Sequence, residues 1–445
     1  MSINDWILTL NNYSWWPTII FFVGIACIIT LVLNFVQFRY FFTAWKLLLF
    51  PGAVKAGNKA DMTPFQAFLN ALSTSLGNGS IGGMATAVFS GGPGAAVWIF
   101  MYGILGMAIR YCEVYLSTAF GVKHWANSTV GGPMVYLSKV PGGKFLPYFY
   151  ALFCLFLAFT TGNAMQANTI RLGLVRIFGI NSLTVAVILL LFMLYVMLGG
   201  AKRIIAVSDK IVPIKVGVFF ISAVIVLCYH YAAIIPALSL IFKAAFSPQA
   251  AFGGAVGYTV QQAIRFGIYR TLNASEAGLG TAAVIFGGSG STEPAKDGIM
   301  SMLSTFISSN LVCFSIALMI IASGVWNNGQ NSLDLTISAY ETVFGTLGGW
   351  IVTFLSVSFG LGVLVSYAYI ARSCWLFLTQ GKFINVCNIL FCTATFLGAL
   401  ARVELIWNMT DLINTALLTV NMFGIFMLLP TIKRGLKAYE TTNGK

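Results

Sequence analysis

Two glycine-rich breaks inside apolar, helix-length stretches constrain this chain more than any other feature of its sequence. The first break is Leu76-Gly77-Asn78-Gly79-Ser80-Ile81-Gly82-Gly83, and the second runs from Arg270 through Glu276 to Gly280. In hydrocarbon an unpaired backbone group is costly, so irregular backbone survives only beside protein or a water-filled cavity. Two such breaks, far apart in sequence, predict a binding site between them.

The composition places the breaks in a membrane protein. The 445 residues are 58% hydrophobic and 8% charged, whereas a soluble domain carries about 25% charged residues. We therefore predict an all-α polytopic membrane protein with one membrane domain over residues 1–445 and lipid as its surroundings. The net charge of +13 does not indicate a nucleic-acid partner, because the basic residues lie at the ends of apolar segments, where membrane topology places them.

Enzyme signatures are absent from the sequence. The chain has two histidines and eight scattered cysteines, without HExxH, CxxC or a G-x-S-x-G elbow between strand and helix. We expect no enzymatic activity, no disulfide framework and no cofactor. We also expect no obligate protein partner.

Apolar stretches of spanning length predict about eleven transmembrane helices. A short surface helix is expected over 236–248. The predicted spans cover residues 17–38, 64–90, 94–121, 146–170, 181–199, 212–232, 254–284, 298–322, 346–370, 383–401 and 407–430.

Loop charges predict the orientation of these spans. Lysines and arginines concentrate in alternating loops, and the exceptions on the other side are Arg171, Arg176, Lys243 and Arg402. Because positive loops stay in the cytoplasm, the N-terminus is predicted outside and the C-terminus inside.

The spacing of the breaks predicts an internal repeat. They fall in the second and seventh spans, so residues 64–232 and 254–430 form two five-helix halves after an extra first helix and linker over 17–60. An odd number of helices inverts the second half relative to the first. This is the inverted repeat of many secondary transporters, whose substrate and ion sites lie at discontinuous helices.

The half-helices at the first break have complementary ends. The C-terminal end of the lower half offers free carbonyls to a small cation, and the N-terminal end of the upper half offers N–H groups to a carboxylate. The alternative is a glycine-rich packing face. Glu276, an acid inside a span, receives a substrate ammonium, holds a cation, carries a proton, or ties down the unwound backbone.

Several short motifs make the chain resemble the alanine/glycine:cation symporter family, whose members have a LeuT-type fold. The resemblance extends from about Phe65 to the tenth span. It is carried by the first break, Gly91-Gly92-Pro93-Gly94-Ala95, Leu105-Gly106-Met107, Gly131-Gly132-Pro133-Met134, Gln166-Ala167-Asn168 and Ser275-Glu276-Ala277-Gly278-Leu279-Gly280. It implies import of alanine or glycine with a cation, usually sodium, across a bacterial or archaeal cytoplasmic membrane.

The two breaks and the fourth span supply the expected site. The predicted substrate-binding residues are Asn78, Gly79, Ser80, Gln166, Asn273, Ser275 and Glu276. The candidate sodium ligands are Leu76, Gly79 and Ser358.

Four departures from the family pattern bear on ion and substrate. The breaks read Gly77-Asn78-Gly79-Ser80 and Asn273-Ala274-Ser275-Glu276 where the family usually has Gly-Thr-Gly-Asn and Phe-Ser-Asn-Glu. The eighth span has Ser308-Ser309 where Asp-Thr is usual, and the ninth shows Gly362-Val363 where a Thr-Thr pair is common. Sodium prefers oxygen ligands, so losing the ninth-span hydroxyls weakens a sodium site unless Ser356, Ser358 or Ser366 substitutes for them. The alternative is therefore a proton-coupled transporter, or one for a different amino acid, on the same fold. A channel or receptor on this scaffold is the third hypothesis.

Overall fold

The computed structural model describes residues 3–50, 60–121, 123–125, 128–246, 260–401 and 403–442. Within these ranges the regular secondary structure is helical except for one antiparallel hairpin, β1 (Lys123–Trp125) with β2 (Ser128–Val130), in which Lys123 lies opposite Val130. The helices are α1 (Ile3–Val32), α2 (Val36–Arg39), α3 (Phe41–Leu49), α4 (Pro64–Ser75), α5 (Met84–Gly91), α6 (Ala95–Ala119), α7 (Pro133–Tyr136), α8 (Leu146–Phe159), α9 (Met165–Phe178), α10 (Ser182–Leu198), α11 (Gly200–Tyr229), α12 (Tyr231–Phe246), α13 (Val260–Ser275), α14 (Thr281–Gly287), α15 (Pro294–Thr305), α16 (Phe314–Ala322), α17 (Ser332–Phe344), α18 (Leu347–Thr379), α19 (Ile384–Leu400) and α20 (Val403–Thr442).

Three π-helical segments join consecutive helices, namely Gly79–Gly83 before α5, Thr160–Ala164 between α8 and α9, and Phe306–Cys313 between α15 and α16. Short 3₁₀ turns lie at Leu137–Lys139 and Val325–Asn327. π-helical insertions are often found at functional sites, and the first of these segments follows the first predicted break.

Seven helices or joined helix pairs of the described chain are long and apolar enough to cross a membrane. They are Tyr13–Val32, Ala95–Ala119, Leu146–Phe178, Gly200–Tyr229, Pro294–Ala322, Leu347–Thr379 and Thr410–Thr442, and the helices Ser182–Leu198, Tyr231–Phe246 and Ile384–Leu400 are shorter but apolar. The prediction of an all-α polytopic membrane protein is confirmed. The number of spans and the pairing of two five-helix halves stay predictions.

Several helix ends differ from those expected. Helix α11 begins at Gly200 rather than 212, so Lys202, Arg203 and Lys210 belong to its first turns instead of a loop. Helix α20 continues to Thr442, and the basic residues after 430 extend it. The surface helix expected over 236–248 is α12, Tyr231–Phe246, and 247–248 lie outside the described residues, as do 51–59 of the linker and 254–259 of the seventh span. Charged residues continue a helix readily, so the ends of apolar runs do not mark helix ends.

Large apolar side chains cover the outside of the helix bundle. On α10, for example, Ile188, Leu191, Tyr195 and Leu198 are more than half exposed. The bundle interior combines a hydrophobic core with many buried polar side chains, including those around both breaks. Apolar side chains facing outward and ionisable ones confined to the interior fit a protein whose surroundings are lipid.

The two broken segments lie at the centre of the bundle. Helix α18 packs against α4, α8, α9, α11 and α17, while α6 packs against α13, α14 and α15. Every residue from Leu76 to Ala85 and from Thr271 to Ser289 is buried. The bundle therefore encloses the irregular backbone of both breaks.

A glycine contact between α13 and α6 provides a test of this packing. A Cβ at Gly267 would lie 2.6 Å from the carbonyl oxygen of Ala95 and 2.7 Å from Cβ of Trp98. We expect Gly267→Ala to lower the free energy of unfolding by about 1–3 kcal/mol, because overpacking forces the helices apart. Thermal unfolding of the purified protein in detergent measures it.

The matched control is Gly217→Ala in α11, where an added Cβ has no neighbour within 4 Å. This change removes a helical glycine and should stabilise the protein by about 0.5–1 kcal/mol. Equal effects of the two substitutions would contradict the described α13–α6 contact.

Candidate substrate site at the two helix breaks

The first break is built by local sequence signals. Helix α4 begins with a capping box, in which Thr63 Oγ1 accepts from the Gln66 N–H at 3.2 Å and Gln66 Oε1 accepts from the Thr63 N–H at 2.9 Å. The helix ends at Ser75, and Leu76 leaves the helical region with φ −116° and ψ 74°. The chain resumes as a π-helical segment from Gly79. Glycines on both sides of Asn78 lower the cost of this interruption.

The second break is a left-handed excursion between α13 and α14. Glu276 has φ +60°, Gly278 has φ +100° and Gly280 has φ +80°. Left-handed backbone costs free energy for a residue other than glycine, and asparagine and aspartate tolerate it best. A glutamate in this conformation is held there by its surroundings.

The two breaks are in contact with each other. Ser75 donates from its hydroxyl to the carbonyl oxygen of Ser275 at 3.0 Å. A Cβ at Gly79 would lie 3.6 Å from both Cα of Ala274 and the carbonyl oxygen of Asn273. The structure therefore brings together the two stretches that the sequence places nearly two hundred residues apart.

Asn78 and Gln166 form one hydrogen-bonded unit. Gln166 Oε1 accepts from the backbone N–H of Asn78 at 3.2 Å and from its side-chain amide at 3.1 Å. Asn78 Oδ1 accepts from the Ser356 hydroxyl at 2.7 Å. Gln166 donates in turn to the carbonyl of Thr161 at 3.1 Å. This network ties the first break to α9 and α18.

The other predicted polar residues satisfy backbone or neighbouring helices. Ser80 donates from its hydroxyl to the carbonyl of Ser75 at 3.2 Å, within the break itself. Asn273 donates to Asp411 Oδ1 at 3.0 Å and accepts from Asn414 at 2.7 Å, which connects the second break to α20. Asn168, beside the expected site in sequence, donates to carbonyls at the end of α19.

Glu276 accepts hydrogen bonds from two hydroxyls. Its carboxylate accepts from Tyr367 of α18 through Oε1 and from Thr281 at 2.7 Å through Oε2. The side chain is 2% exposed. Of the roles that the sequence allows for Glu276, this arrangement favours the structural one, because both oxygens are already bound.

Arg110 and Glu113 of α6 bind backbone groups of the second break. Glu113 Oε1 accepts from the backbone N–H groups of Gly278 at 2.9 Å and Gly280 at 2.7 Å. Arg110 donates to the carbonyl of Ser275 at 2.6 Å and pairs with Glu113 at 3.2 Å. Both side chains are fully buried. The carboxylate thus binds the N–H groups that unwinding frees, and the guanidinium binds a freed carbonyl.

The candidate sodium ligands are not assembled as the sequence suggests. Ser358 donates to the carbonyl of Leu355 on its own helix at 3.0 Å, whereas Ser356 reaches the first break. The carbonyl of Leu76 accepts from the ammonium of Lys215 at 2.9 Å. Among the described residues no group of three histidine, cysteine or carboxylate side chains is placed to hold a metal ion.

The sequence contains a signal for two residues that are absent from the expected site, Lys215 and Arg110. Lys215 lies inside the predicted sixth span and Arg110 inside the third, three positions before Glu113, which the sequence predicts to be a salt-bridge or gate residue. Ionisable residues within spans mark functional or structural centres. Applied to every span, that rule selects both cations, although not the backbone groups that they bind.

A cavity of about 320 Å³ reaches the first break. Asn78 and Gly82 line it at the first break, together with residues of α9, residues at the start of α17, and Thr353 of α18. Arg176 and Asp334 line it as an ion pair whose side chains are half exposed. Apart from this pair the lining is uncharged: Asn78, Gly82, Thr169, Leu172, Gly173, Asn331, Ser332, Leu333, Ile337 and Thr353.

Comparisons with known proteins give consistent relatives. The family model described as sodium:alanine symporter family matches residues 1–445. The chain is 31% identical over 443 residues to an uncharacterised transporter of Haemophilus influenzae, covering 99% of this chain and 96% of that one. It is 31% identical over 441 residues to the sodium/alanine symporter AgcS of Methanococcus maripaludis, with 97% and 96% covered. A probable sodium/glutamine symporter of Bacillus subtilis is 29% identical, with 95% and 87% covered.

A solved Na⁺-coupled sialic acid symporter shares the fold. Its TM-score is 0.60 at 14% identity, with 92% of this chain and 86% of that chain covered. At this identity the likeness concerns the fold alone. The chain shares the architecture of this solved membrane transporter, which agrees with the fold that the sequence resemblance implies.

The Arg110–Glu113 pair generates a stability prediction. We expect Glu113→Gln to lower the free energy of unfolding by about 3–5 kcal/mol, because it leaves a buried guanidinium unpaired. The control is Glu440→Gln, whose partner Arg39 is 40% exposed, and it should cost about 0–1 kcal/mol. Thermal unfolding in detergent compares the two. Similar losses would mean that the pair does not hold the second break.

Proposed function

Because the chain belongs to the sodium:alanine symporter family, we propose that it carries a small neutral amino acid across the membrane by alternating access. Membership makes it a multi-pass membrane transporter rather than an enzyme. Alanine and glycine are the first candidate substrates. The cytoplasmic membrane of a bacterium or archaeon is the proposed location, with the N-terminus outside and the C-terminus inside.

The cavity at the first break is the observation that carries this proposal. Its volume of about 320 Å³ is at the small end of the range for ligand pockets. Because the charged groups among its described lining residues form one ion pair, a solute with net charge would lack a partner there. A zwitterion with a short side chain suits such a lining.

The half-helix ends suggest how the zwitterion binds. Its carboxylate would accept from backbone N–H groups between Gly79 and Gly82, at the positive end of the segment that continues into α5. The N–H of Asn78 bonds Gln166 and that of Ser80 bonds the Gly77 carbonyl at 2.9 Å, so these two are not available in this conformation. We propose that Asn78 and Gln166 reorient towards the substrate while Asn273 and Ser275 complete the wall.

The start of α17 is placed to act as a lid. Ser332 lies over the break, where a Cβ at Gly82 would be 2.8 Å from its hydroxyl oxygen, and Thr336 donates to the carbonyl of Ile81 at 3.4 Å. Movement of α17, with separation of the half-exposed Arg176–Asp334 pair, would open the cavity. The opposite movement would close it before the other side opens.

Uptake into proteoliposomes tests the substrate. We expect labelled alanine or glycine to accumulate, and unlabelled small neutral amino acids to compete better than lysine or glutamate. Glutamine belongs in the panel because a relative carries that name. Absence of uptake for every small neutral amino acid, under sodium, proton and no gradient alike, would contradict the proposal.

Asn78 is the residue whose loss should matter most. Asn78→Ala removes the side-chain contacts to Gln166 and Ser356, and we expect uptake to fall about tenfold or more. Gln261→Ala, an exposed amide at the start of α13, should leave uptake unchanged. A wild-type rate for Asn78→Ala would remove this residue from the proposed site.

Glu276 separates proton transport from structural support. Because both carboxylate oxygens are bound by hydroxyls, we expect Glu276→Gln to lower the free energy of unfolding by about 1–3 kcal/mol without changing how uptake depends on a proton gradient. Loss of proton-driven uptake in a variant that remains folded would support the alternative, a proton-coupled transporter with Glu276 as carrier. Uptake and thermal unfolding are measured on the same preparations.

A further inference from the structure

The feature that the proposed function leaves unexplained is a lysine at the first break. Lys215 of α11 is fully buried. Its ammonium donates to the carbonyl of Leu76 at 2.9 Å, the carbonyl of Ser73 at 3.1 Å and the hydroxyl of Ser73 at 3.2 Å. An ammonium has three donors, and each has an oxygen acceptor here.

These oxygens belong to the C-terminal end of α4. The last carbonyls of a helix lack intrahelical partners and carry the negative end of its dipole. Unwinding at Leu76 therefore creates a cation-binding site. The sequence predicts a coupling ion at this position, with Leu76 as one of its ligands. In the structure the ammonium of Lys215 occupies this site.

Gly362 of α18 makes room for the ammonium. A Cβ at this position would lie 2.5 Å from Nζ of Lys215 and 2.9 Å from the Ser73 hydroxyl oxygen. A side chain at 362 and the lysine head are thus mutually exclusive in this arrangement. The missing hydroxyl at Gly362 has a physical reason, because the lysine head fills the space that a ligand side chain would need.

The positive charge of Lys215 is stabilised by oxygens rather than by a carboxylate. Among the described residues no ion pair involves Lys215, and the carboxylates on or near the packed helices are engaged elsewhere. Asp209, on the same helix, accepts from Gln66 at 2.7 Å, and Glu276 accepts from Tyr367 and Thr281. The ring of Phe359 faces the ammonium, with its centroid 5.5 Å from Nζ. Carbonyl and hydroxyl oxygens are also ligands that suit a hard cation such as sodium.

We infer that the Lys215 ammonium replaces the sodium ion at the first break, so that the protein neither binds sodium at this position nor needs it there for transport. A second cation would meet the like charge of the ammonium and find its oxygens taken. The residues present therefore do not fit sodium, although relatives are named as sodium symporters. The statement about transport rests on the proposed function, whereas the statement that Lys215 occupies the cation position does not.

Sodium-dependent thermal stability tests the occupancy without using transport. The full-length protein is purified in detergent and unfolded in sodium, potassium or N-methylglucamine chloride at equal ionic strength. We expect no sodium-specific shift for the wild type. Lys215→Ala vacates the oxygens and should acquire a sodium-specific rise in Tm of at least about 2 °C, because a ligand that binds only the folded state stabilises it.

Two further variants complete the design. Lys210→Ala removes an exposed lysine of the same helix and should behave as the wild type in all three salts. Lys215→Gln removes the charge but keeps a donor, and it is analysed in the same way should Lys215→Ala not fold. A sodium-specific shift in the wild type overturns the inference. No sodium response in either Lys215 variant also overturns it, since the position would then not be a cation-binding site.

Uptake measurements then test whether transport proceeds without sodium when Lys215 occupies the cation-binding site. With the wild-type protein, the initial rate of labelled alanine or glycine uptake should be equal in sodium and potassium chloride, and stimulation by sodium of twofold or more contradicts the inference. If neither amino acid is taken up under any condition, the proposed function fails. The stability experiment still decides the identity of the cation, so the two failures are distinguishable.

Discussion

The structure depends on one constraint, the need to satisfy backbone groups that two interrupted helices expose far from water. Each interruption is held by a buried ionisable side chain from a neighbouring helix. Lys215 binds the carbonyls that end α4, while Glu113 binds the N–H groups of Gly278 and Gly280 and Arg110 binds the carbonyl of Ser275. The cationic side chains bind carbonyls and the anionic side chain binds N–H groups, as the polarity of helix ends requires. Without these contacts the breaks would be too costly to keep in a membrane.

This division leaves a restricted region for a substrate. Arg110 binds the backbone of the second break, and Lys215 binds the carbonyl end of the first break. Neither of these groups is available to a substrate. What stays reachable is the opposite side of the first break, where Asn78 and Gly82 line the cavity under α17. Internal charges rigidify the parts of both breaks that do not face this cavity. Such support lets a site be irregular in backbone yet fixed in position.

The sequence predicts the membrane class and the two breaks well, because these follow from glycine content and apolar length. It also leads to the expectation that the breaks lie together, and the family resemblance adds Asn78 and Gln166 to one expected substrate site. Their hydrogen bond to each other is seen only in the structure. It does not predict which groups satisfy the breaks. Lys215 is more than a hundred residues from Leu76, and nothing local in either stretch identifies the other. Ser358 and Ser356 differ by two positions on one helix, and only the rotation of α18 decides which of them reaches Asn78. Helix ends at Gly200 and Thr442 were misplaced because charged residues extend a helix beyond its apolar run.

The clash between a side chain at 362 and the head of Lys215 restricts the routes by which such a protein can diverge. A larger residue at 362 clashes with the lysine head in this arrangement, and loss of the lysine alone removes the donor to the Leu76 carbonyl, whereas the Ser73 carbonyl still accepts from the Leu76 N–H at 3.4 Å. Neither single change is neutral. The glycine and the lysine are therefore a linked pair, because the lysine head reaches its oxygens only where position 362 carries no side chain.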